Sequence, residues 1–192
     1  SITIGNFDGL HIGHIELLKN TIALAKANNT VPVVLSFDPM PEEYFRNEYF
    51  FRLMSNTEKS GFIEDYGIEE IILIPFNEKF SKMDKNKFID EVLIKKLNAK
   101  HVVVGNDFRF GHKRIGDVKL LKSYGHDRGI EVTIVSLIEI LGKKISSTNI
   151  RELLILGKIS EANSILGKPF SIQGKIIHGE KVGRELGYPT AN

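Results

Sequence analysis

Near its start the sequence reads Ile2-Thr3-Ile4-Gly5-Asn6-Phe7-Asp8-Gly9-Leu10-His11-Ile12-Gly13-His14, an apolar segment that runs into a turn with three glycines. The apolar segment predicts a strand, and apolar residues at helical spacing from Ile15 to Ala25 predict a helix directly after the turn. The first turn of a helix offers unpaired N–H groups and a partial positive charge to phosphate oxygens. His11 and His14 lie three residues apart and can therefore face the same phosphates. The pattern predicts a nucleotide site.

Two common phosphate-binding motifs do not fit this stretch. Gly13 is followed by His14 rather than by lysine and a hydroxyl, which excludes the P-loop, and the glycines fall four apart, which excludes G-x-G-x-x-G. The stretch is similar instead to the H-x-G-H signature of the nucleotidyltransferase superfamily. Its longer form, G-N-F-D-G-x-H-x-G-H, resembles the bacterial bifunctional riboflavin kinase/FAD synthetases. The resemblance implies catalytic roles for His11 and His14 and ATP contacts by Gly5, Asn6, Phe7, Asp8 and Gly13.

Bulk composition narrows the class of protein. The chain has 192 residues, 42% hydrophobic and 26% charged, with a net charge of +2 and no basic run. These values are ordinary for a soluble globular protein and predict neither a nucleic-acid nor a membrane partner. The absence of cysteine excludes disulfides and thiolate metal sites and favours a cytoplasmic location. The oligomeric state stays open, and we expect the chain to be cut at both ends.

Strands and helices alternate along most of the chain. Apolar patterns predict strands at residues 31–37, 70–75, 101–105 and 131–135, and helices over 56–66, after Asp84 and over 118–126. Such alternation is typical of an α/β protein with a mainly parallel sheet and helices on both faces. Ligands of these sheets bind beyond the carboxyl ends of the strands. The resemblance implies a Rossmann-like nucleotidyltransferase.

A second candidate loop follows the strand at 101–105. Residues 105–117 contain three glycines, two phenylalanines and several basic groups, which is unusual for a passive connection. Aromatic rings can stack on a flavin, and arginines can bind phosphate. The loop resembles the pattern G-x-D-F-x-F-G-x-x-R-x-G-D of the same family, which implies flavin contacts by Asp107, Phe108, Arg109, Phe110 and Arg114. The alternative is a solvated loop with its phenylalanines in the core, and we expect one of them to be a core residue.

A proline-rich loop departs from the family pattern. The family usually has F-x-P-H-P after the second strand, and Met40 stands in place of the histidine. A phosphate contact from this position is therefore not expected. The aromatic residues between 44 and 51 predict either a flap that faces the flavin or ordinary core packing.

The third candidate segment is residues 145–151, Ile-Ser-Ser-Thr-Asn-Ile-Arg. Hydroxyl side chains at a helix start cap the helix and leave N–H groups for phosphate. The segment resembles the family motif I-S-S-T-x-I-R, which implies that Ser146, Ser147, Thr148 and Arg151 bind the distal phosphates of ATP. Arg151 counts with the two histidines among the catalytic candidates.

The character of the sequence changes after residue 168. Residues 170–178 alternate as in a strand, and the chain closes with Pro-Thr-Ala-Asn. This resembles the first strand and glycine-rich flap of the family's riboflavin kinase, where Thr190 and Asn192 would bind Mg²⁺-ATP if the module were complete. We therefore predict an adenylyltransferase domain over residues 1–168 and an incomplete β-barrel over 169–192.

The resemblance implies adenylyl transfer from ATP to FMN, which gives FAD and pyrophosphate, with Mg²⁺ accompanying ATP. In the full-length protein it also implies phosphorylation of riboflavin. No carboxylate cluster predicts a metal site built by the protein, and Asp8 is the one nearby candidate. Two alternatives stay open. The chain could be another H-x-G-H enzyme, of the pantetheine-phosphate adenylyltransferase or cytidylyltransferase type, or a non-catalytic flavin or nucleotide sensor.

Overall fold

The computed structural model describes residues 1–46, 51–136, 139–140, 143–177 and 182–188. The strands are β1 (Ile2–Ile4), β2 (Val33–Asp38), β3 (Glu70–Pro75), β4 (His101–Gly105), β5 (Arg109–Phe110), β6 (Gly116–Asp117), β7 (Glu131–Val135), β8 (Glu139–Ile140) and β9 (Lys143–Lys144). The helices are α1 (Ile12–Ala27), α2 (Pro41–Phe45), α3 (Asn56–Asp65), α4 (Glu78–Ser81), α5 (Lys85–Lys87), a π-helix (Phe88–Lys96), a 3₁₀ turn (His112–Arg114), α6 (Val118–His126), α7 (Ser147–Ile155), α8 (Ile159–Leu166) and α9 (Val182–Glu185).

The main sheet has five parallel strands in the order β3-β2-β1-β4-β7. The central strand pairs on both sides, with Ile2 opposite Val33 of β2 and opposite Val102 of β4. Two short antiparallel pairs, β5 with β6 and β8 with β9, lie outside this sheet. The parallel sheet confirms the α/β class predicted from the alternation of strands and helices.

Helices cover both faces of this sheet, as predicted. Successive side chains of a strand point to opposite faces, so each strand supplies two separate cores. Val34 and Val103 pack in one core with Leu18 of α1 and Ile63 of α3. The other core contains alternate residues of the same strands together with residues of the π-helix and α6: Val33, Leu35, Val102, Val104, Ile89, Leu93 and Leu121. None of the helices in the described ranges combines the length and apolarity that a bilayer crossing requires.

Three local predictions need correction. The two prolines after β2 predict an extended loop, yet Pro41 begins the short helix α2, because proline is accepted in the first turn of a helix. The helix after Asp84 is capped by that side chain, which accepts from the Asn86 N–H at 2.8 Å, but it continues as a π-helix. No strand forms over residues 170–177.

The last of these corrections removes the predicted barrel stub from the described residues. Ile172, Ile176 and Ile177 are 83, 74 and 64% exposed, so the alternating pattern has no second layer on which to pack. A strand without a partner strand leaves its N–H and C=O groups unpaired. His178, Thr190 and Asn192 lie outside the described residues.

Candidate active site

The cleft lies where the chain leaves the central strand. β1 is followed by β2 on one side, whereas β4 lies on the other, so the loops after β1 and β4 diverge at the carboxyl edge of the sheet. Such a switch point is the usual ligand site of an open α/β sheet. A cleft of about 430 Å³ opens here, large enough for a small-molecule ligand. Its walls come from the loop after β1, the loop after β4 and the start of α7.

The loop after β1 is held in an unusual backbone conformation. Phe7 and Leu10 have φ angles of 52° and 46°, and Gly9 lies between them at 80°. A non-glycine residue in this region is strained unless its surroundings hold it there. Both side chains are buried, at 0 and 1% exposure, and therefore anchor the loop. Phe7 is thus a core residue whose side chain does not line the cleft; its ring packs against His14, with centroids 5.1 Å apart, and the implied ATP contact of Phe7 stays a prediction.

His11 and His14 both line the cleft, together with the predicted ATP-site residues Gly5, Asn6, Asp8 and Gly13. His11 is the N-cap of α1, and its Nδ1 accepts a hydrogen bond from the His14 N–H at 3.2 Å. The two imidazole rings stack, with centroids 3.6 Å apart and planes at 13°. Because Nδ1 of His11 is an acceptor, the neutral ring carries its proton on Nε2. The stacking fixes the orientation of both rings.

Burial keeps the two histidines neutral. It lowers the pKa of His11 to about 4. Burial also lowers the pKa of His14 well below its ordinary value, and the nearby Lys59 ammonium acts in the same direction, as does His11 whenever it is protonated. At pH 7 both rings therefore offer hydrogen bonds rather than full positive charge. Nδ1 of His14 is buried and has no partner within the part of the chain that the structure describes.

The start of α7 joins the loop after β1 through Asp8. Ser146 caps α7 by accepting from the Asn149 N–H at 3.2 Å, and Ser147 Oγ donates to the Asp8 carbonyl at 2.8 Å. Ser146, Ser147 and Thr148 all line the cleft, and their contact with ATP stays a prediction. The first N–H groups of α7 have no acceptor within the helix and are therefore suited to bind an anion.

Arg151 also lines the cleft, but much of its guanidinium contacts the protein. It forms an ion pair with the Asp8 carboxylate, and its Nε donates to the Phe51 carbonyl at 2.6 Å. Asp8 is 2% exposed, and its carboxylate also accepts a hydrogen bond from the Leu53 N–H at 3.0 Å. Burial raises the pKa of Asp8, while the backbone N–H groups that donate to its carboxylate and the charge of Arg151 act to lower it. Asp8 therefore ties three segments together and is unsuited to bind a metal ion.

The loop after β4 forms the opposite wall. Asp107, Phe108, Arg109 and Arg114 line the cleft, and their contact with a flavin stays a prediction. Phe110 does not: its residue is 6% exposed and belongs to the core beneath the sheet. This corrects the predicted flavin contact of Phe110 and agrees with the expectation that one phenylalanine is a core residue.

Phe110 nevertheless shapes the wall from behind. Its ring stacks on Phe108, with centroids 5.6 Å apart, and tilts against Phe88 of the π-helix at 5.4 Å. Gly116 lies under the same ring, where an added Cβ would come within 2.8 Å of Phe110 Cε2. Only glycine leaves room for this packing, so the hairpin β5–β6 holds Phe108 in a fixed position at the cleft.

The sequence matches known proteins along its whole length. Residues 1–149 match the family model of FAD synthetase, and residues 166–192 match that of riboflavin kinase. The chain belongs to the FAD synthetase family.

The relatives that this chain matches are longer proteins. The bifunctional riboflavin kinase/FMN adenylyltransferase of Buchnera aphidicola subsp. Schizaphis graminum is 46% identical over 194 residues, which cover 100% of this chain and 62% of that protein. The protein of the same name from Escherichia coli K12 is 37% identical over 192 residues, 100% of this chain and 61% of that protein. A solved chain from Streptococcus pneumoniae, described as a macrolide-efflux protein, superimposes with a TM-score of 0.88 at 34% identity and covers 100% and 63% of the two chains. This chain therefore spans about three fifths of the relatives it matches.

The segment after β2 adds residues to this cleft that the sequence patterns did not assign to it. Met40 and Glu42 line the cleft, and Met40 is 2% exposed, so a thioether forms part of the wall where the family pattern has an imidazole. Next to them, Arg52 forms ion pairs with Asp38 at 2.9 Å and with Glu43 at 2.5 Å. These contacts join residues distant in sequence, and no motif predicts them. The predicted aromatic segment falls partly on residues 47–50, which lie outside the described residues.

Proposed function

We propose that this chain transfers the adenylyl group of ATP to FMN, giving FAD and pyrophosphate. The observation that carries the proposal is the meeting of the H-x-G-H helix start, the Ser-Ser-Thr helix start and the Phe108–Arg109 wall around one cleft in a member of the FAD synthetase family. The first two segments suit a triphosphate, and the third suits a flavin phosphate with its ring system. The known names of the relatives favour the same reaction.

In the proposed reaction an oxygen of the FMN phosphate attacks the α-phosphorus of ATP. The new bond joins that oxygen to the α-phosphorus, and the bond to the oxygen bridging the α- and β-phosphates breaks, so pyrophosphate leaves. Neutral His11 and His14 would donate hydrogen bonds to the α- and β-phosphates, where negative charge increases in the transition state. The start of α7 and Arg151 would hold the β- and γ-phosphates. The protein acts by positioning, without a covalent intermediate.

Mg²⁺ enters this proposal as a companion of ATP. Among the described residues no group of three or more histidine, aspartate or glutamate side chains is placed to hold a metal ion. Asp8 is occupied by Arg151 and by backbone N–H groups. The residues present therefore do not fit a metal held by the protein, and Mg²⁺ would be held by phosphate oxygens and water.

Further parts of the proposal concern the whole protein. Residues 1–168 would form the adenylyltransferase domain and residues 169–192 the beginning of a riboflavin kinase, which the separate family matches support. The full-length protein would then also phosphorylate riboflavin to FMN. We also propose that the protein is cytoplasmic. Its partners would be the small molecules ATP and FMN, without a nucleic-acid or membrane partner.

The test is product analysis by chromatography. The chain is incubated with FMN and Mg²⁺-ATP, and FAD with stoichiometric pyrophosphate is the expected result. Parallel reactions contain pantetheine phosphate in place of FMN or CTP in place of ATP. Product in either of these, without FAD, would assign the chain to another nucleotidyltransferase. Calorimetric binding of FMN and ATP with no product of any kind would make it a sensor.

A further inference from the structure

Lys59 is a buried lysine directly behind the cleft. It lies on α3, its residue is 3% exposed, and it does not belong to the cleft walls. Its Nζ donates to the Asn6 carbonyl at 3.3 Å and to Ser36 Oγ at 3.2 Å. Ser36 Oγ in turn donates to the same Asn6 carbonyl at 3.3 Å. One carbonyl of the loop after β1 is thus held from behind by two side chains of other elements.

The position is unfavourable for a charge. Within the described part of the chain, the partners of the ammonium are two neutral oxygens, and no carboxylate lies within 4.0 Å of it. Removing an ammonium from water costs several kcal/mol unless good partners replace the water. Four residues further along α3, Ile63 is fully buried, so an apolar residue would suit this face of the helix. Fold stability alone does not account for a lysine here.

The carbonyl that Lys59 holds belongs to the cleft. Asn6 and Asp8 line it, and the N–H of Gly5, one residue before Asn6, donates to the Leu35 carbonyl at 3.1 Å. These hydrogen bonds hold the start of the loop after β1 against β2 and α3. The ammonium also places a positive charge beneath this loop.

We infer that Lys59 is a positioning residue for the adenylyl transfer proposed above, on which this inference rests. It orients the loop after β1 through the Asn6 carbonyl and supplies a buried positive charge under the phosphates. The charged and titratable groups that face it are Asp8, Asp38, Glu43, Arg52 and His14. Because its charge helps to lower the pKa of His14, it also helps to keep that imidazole neutral.

The test compares Lys59→Met, which keeps side-chain length and removes the charge, with Lys168→Met. Lys168 is a matched control because it is partly buried and also packs on α3, with Nζ 3.5 Å from the centre of the Phe62 ring, away from the cleft. For Lys59→Met we expect kcat to fall by roughly tenfold or more, with KM for ATP changed less than about threefold, since a lost orientation acts mainly in the transition state. Lys168→Met should keep the wild-type values.

The pH profile separates this role from a structural one. The acidic limb of kcat/KM should move to higher pH in Lys59→Met, toward the ordinary histidine value of 6.5, because the charge that disfavours protonated His14 is gone. Lys59→Arg, which keeps the charge, should keep the wild-type limb. A Lys59→Met protein with a lower melting temperature but wild-type kcat and pH profile would overturn the inference.

Ser36→Ala keeps the test decisive if Lys59→Met does not fold. It removes one of the two anchors of the Asn6 carbonyl but keeps the ammonium, so kcat should fall by roughly two- to fivefold with an unshifted pH profile. An unchanged kcat in Ser36→Ala would contradict the positioning role. If the wild-type chain makes no FAD, the proposed function fails. If it makes FAD and these variants equal it, the Lys59 inference fails alone.

Discussion

Acidification from pH 7 to pH 5 should destabilise this protein through His11. The folded chain lowers the pKa of His11 from 6.5 to about 4, so below pH 6.5 the unfolded chain binds a proton that the folded chain does not. The stabilising contribution of this group is therefore complete above about pH 6.5 and is lost as the pH falls toward 4. The complete shift corresponds to roughly 3 kcal/mol, of which about 2 kcal/mol falls between pH 7 and pH 5.

Other groups with shifted pKa values bear on the choice of pH window. The lowered pKa of His14 acts in the same direction as that of His11. The lowered pKa values of Asp38 and Glu43 matter only below their ordinary values of 3.8 and 4.5, outside the window. The raised pKa of Asp8 has the opposite sign and offsets part of the loss, because protonation of its carboxyl relieves its burial. Comparison with a variant that lacks His11 cancels these contributions.

His11→Asn is the variant of choice. Asparagine is a favoured N-cap residue, and its side-chain oxygen can accept from the His14 N–H as Nδ1 of His11 does. Urea unfolding at pH 7, 6 and 5 gives the free energy of unfolding of each protein. The pH dependence of the variant should be smaller than that of the wild type by about 2 kcal/mol over this range. Equal pH dependence of the two proteins would refute the buried, neutral state of His11.

Four further predictions follow from the same contacts. Asp8→Asn should lower the free energy of unfolding by about 3–5 kcal/mol, because it removes the charged partner of a largely buried guanidinium, whereas Asp84→Asn at an exposed N-cap should change it little in the same urea experiment. Gly9→Ala should cost about 1–3 kcal/mol in that experiment, since φ is 80° and the new Cβ would come within 2.7 Å of a leucine side chain; a loss under about 0.5 kcal/mol would contradict this. His14→Ala should lower kcat and kcat/KM for FAD formation together by roughly 10²–10³, and a rise in KM for ATP alone would count against its role. Arg151→Lys should weaken ATP binding, measured by calorimetry, by more than about twofold, or about 0.4 kcal/mol, because the planar, bidentate hydrogen bonding of the guanidinium is lost while the charge is kept.

The elements of the sheet could be predicted because their signals are local. The predicted strands at 70–75, 101–105 and 131–135 and the helix at 118–126 have the predicted bounds in the structure. Each is a short apolar run or an amphipathic stretch between turn residues, and burial on both faces of a parallel sheet requires such runs. The three candidate loops could be placed together because the carboxyl ends of parallel strands share one edge.

The rest depends on contacts between distant segments. Phe108 and Phe110 are alike in sequence, and only the hairpin on Gly116 decides that one lines the cleft and the other packs in the core. Phe7 is buried with a φ angle of 52°, a conformation that no propensity predicts. The alternation after residue 169 resembles a strand, but a strand forms only where partner strands are available.

The pairing of Asp8 with Arg151 changes how the cleft can bind a polyphosphate. The resemblance implies that each residue contacts ATP on its own, whereas in the structure they form one ion pair. The two histidines of the cleft are neutral. Among the described residues, three carboxylates and three guanidinium groups line it: Asp8, Glu42, Asp107, Arg109, Arg114 and Arg151. Net charge at the walls is therefore balanced and cannot by itself attract ATP. In the proposed reaction, affinity for ATP would come from directed N–H donors at the starts of α1 and α7, from Mg²⁺ on the phosphates, and from the positive charge of Lys59 beneath the loop after β1.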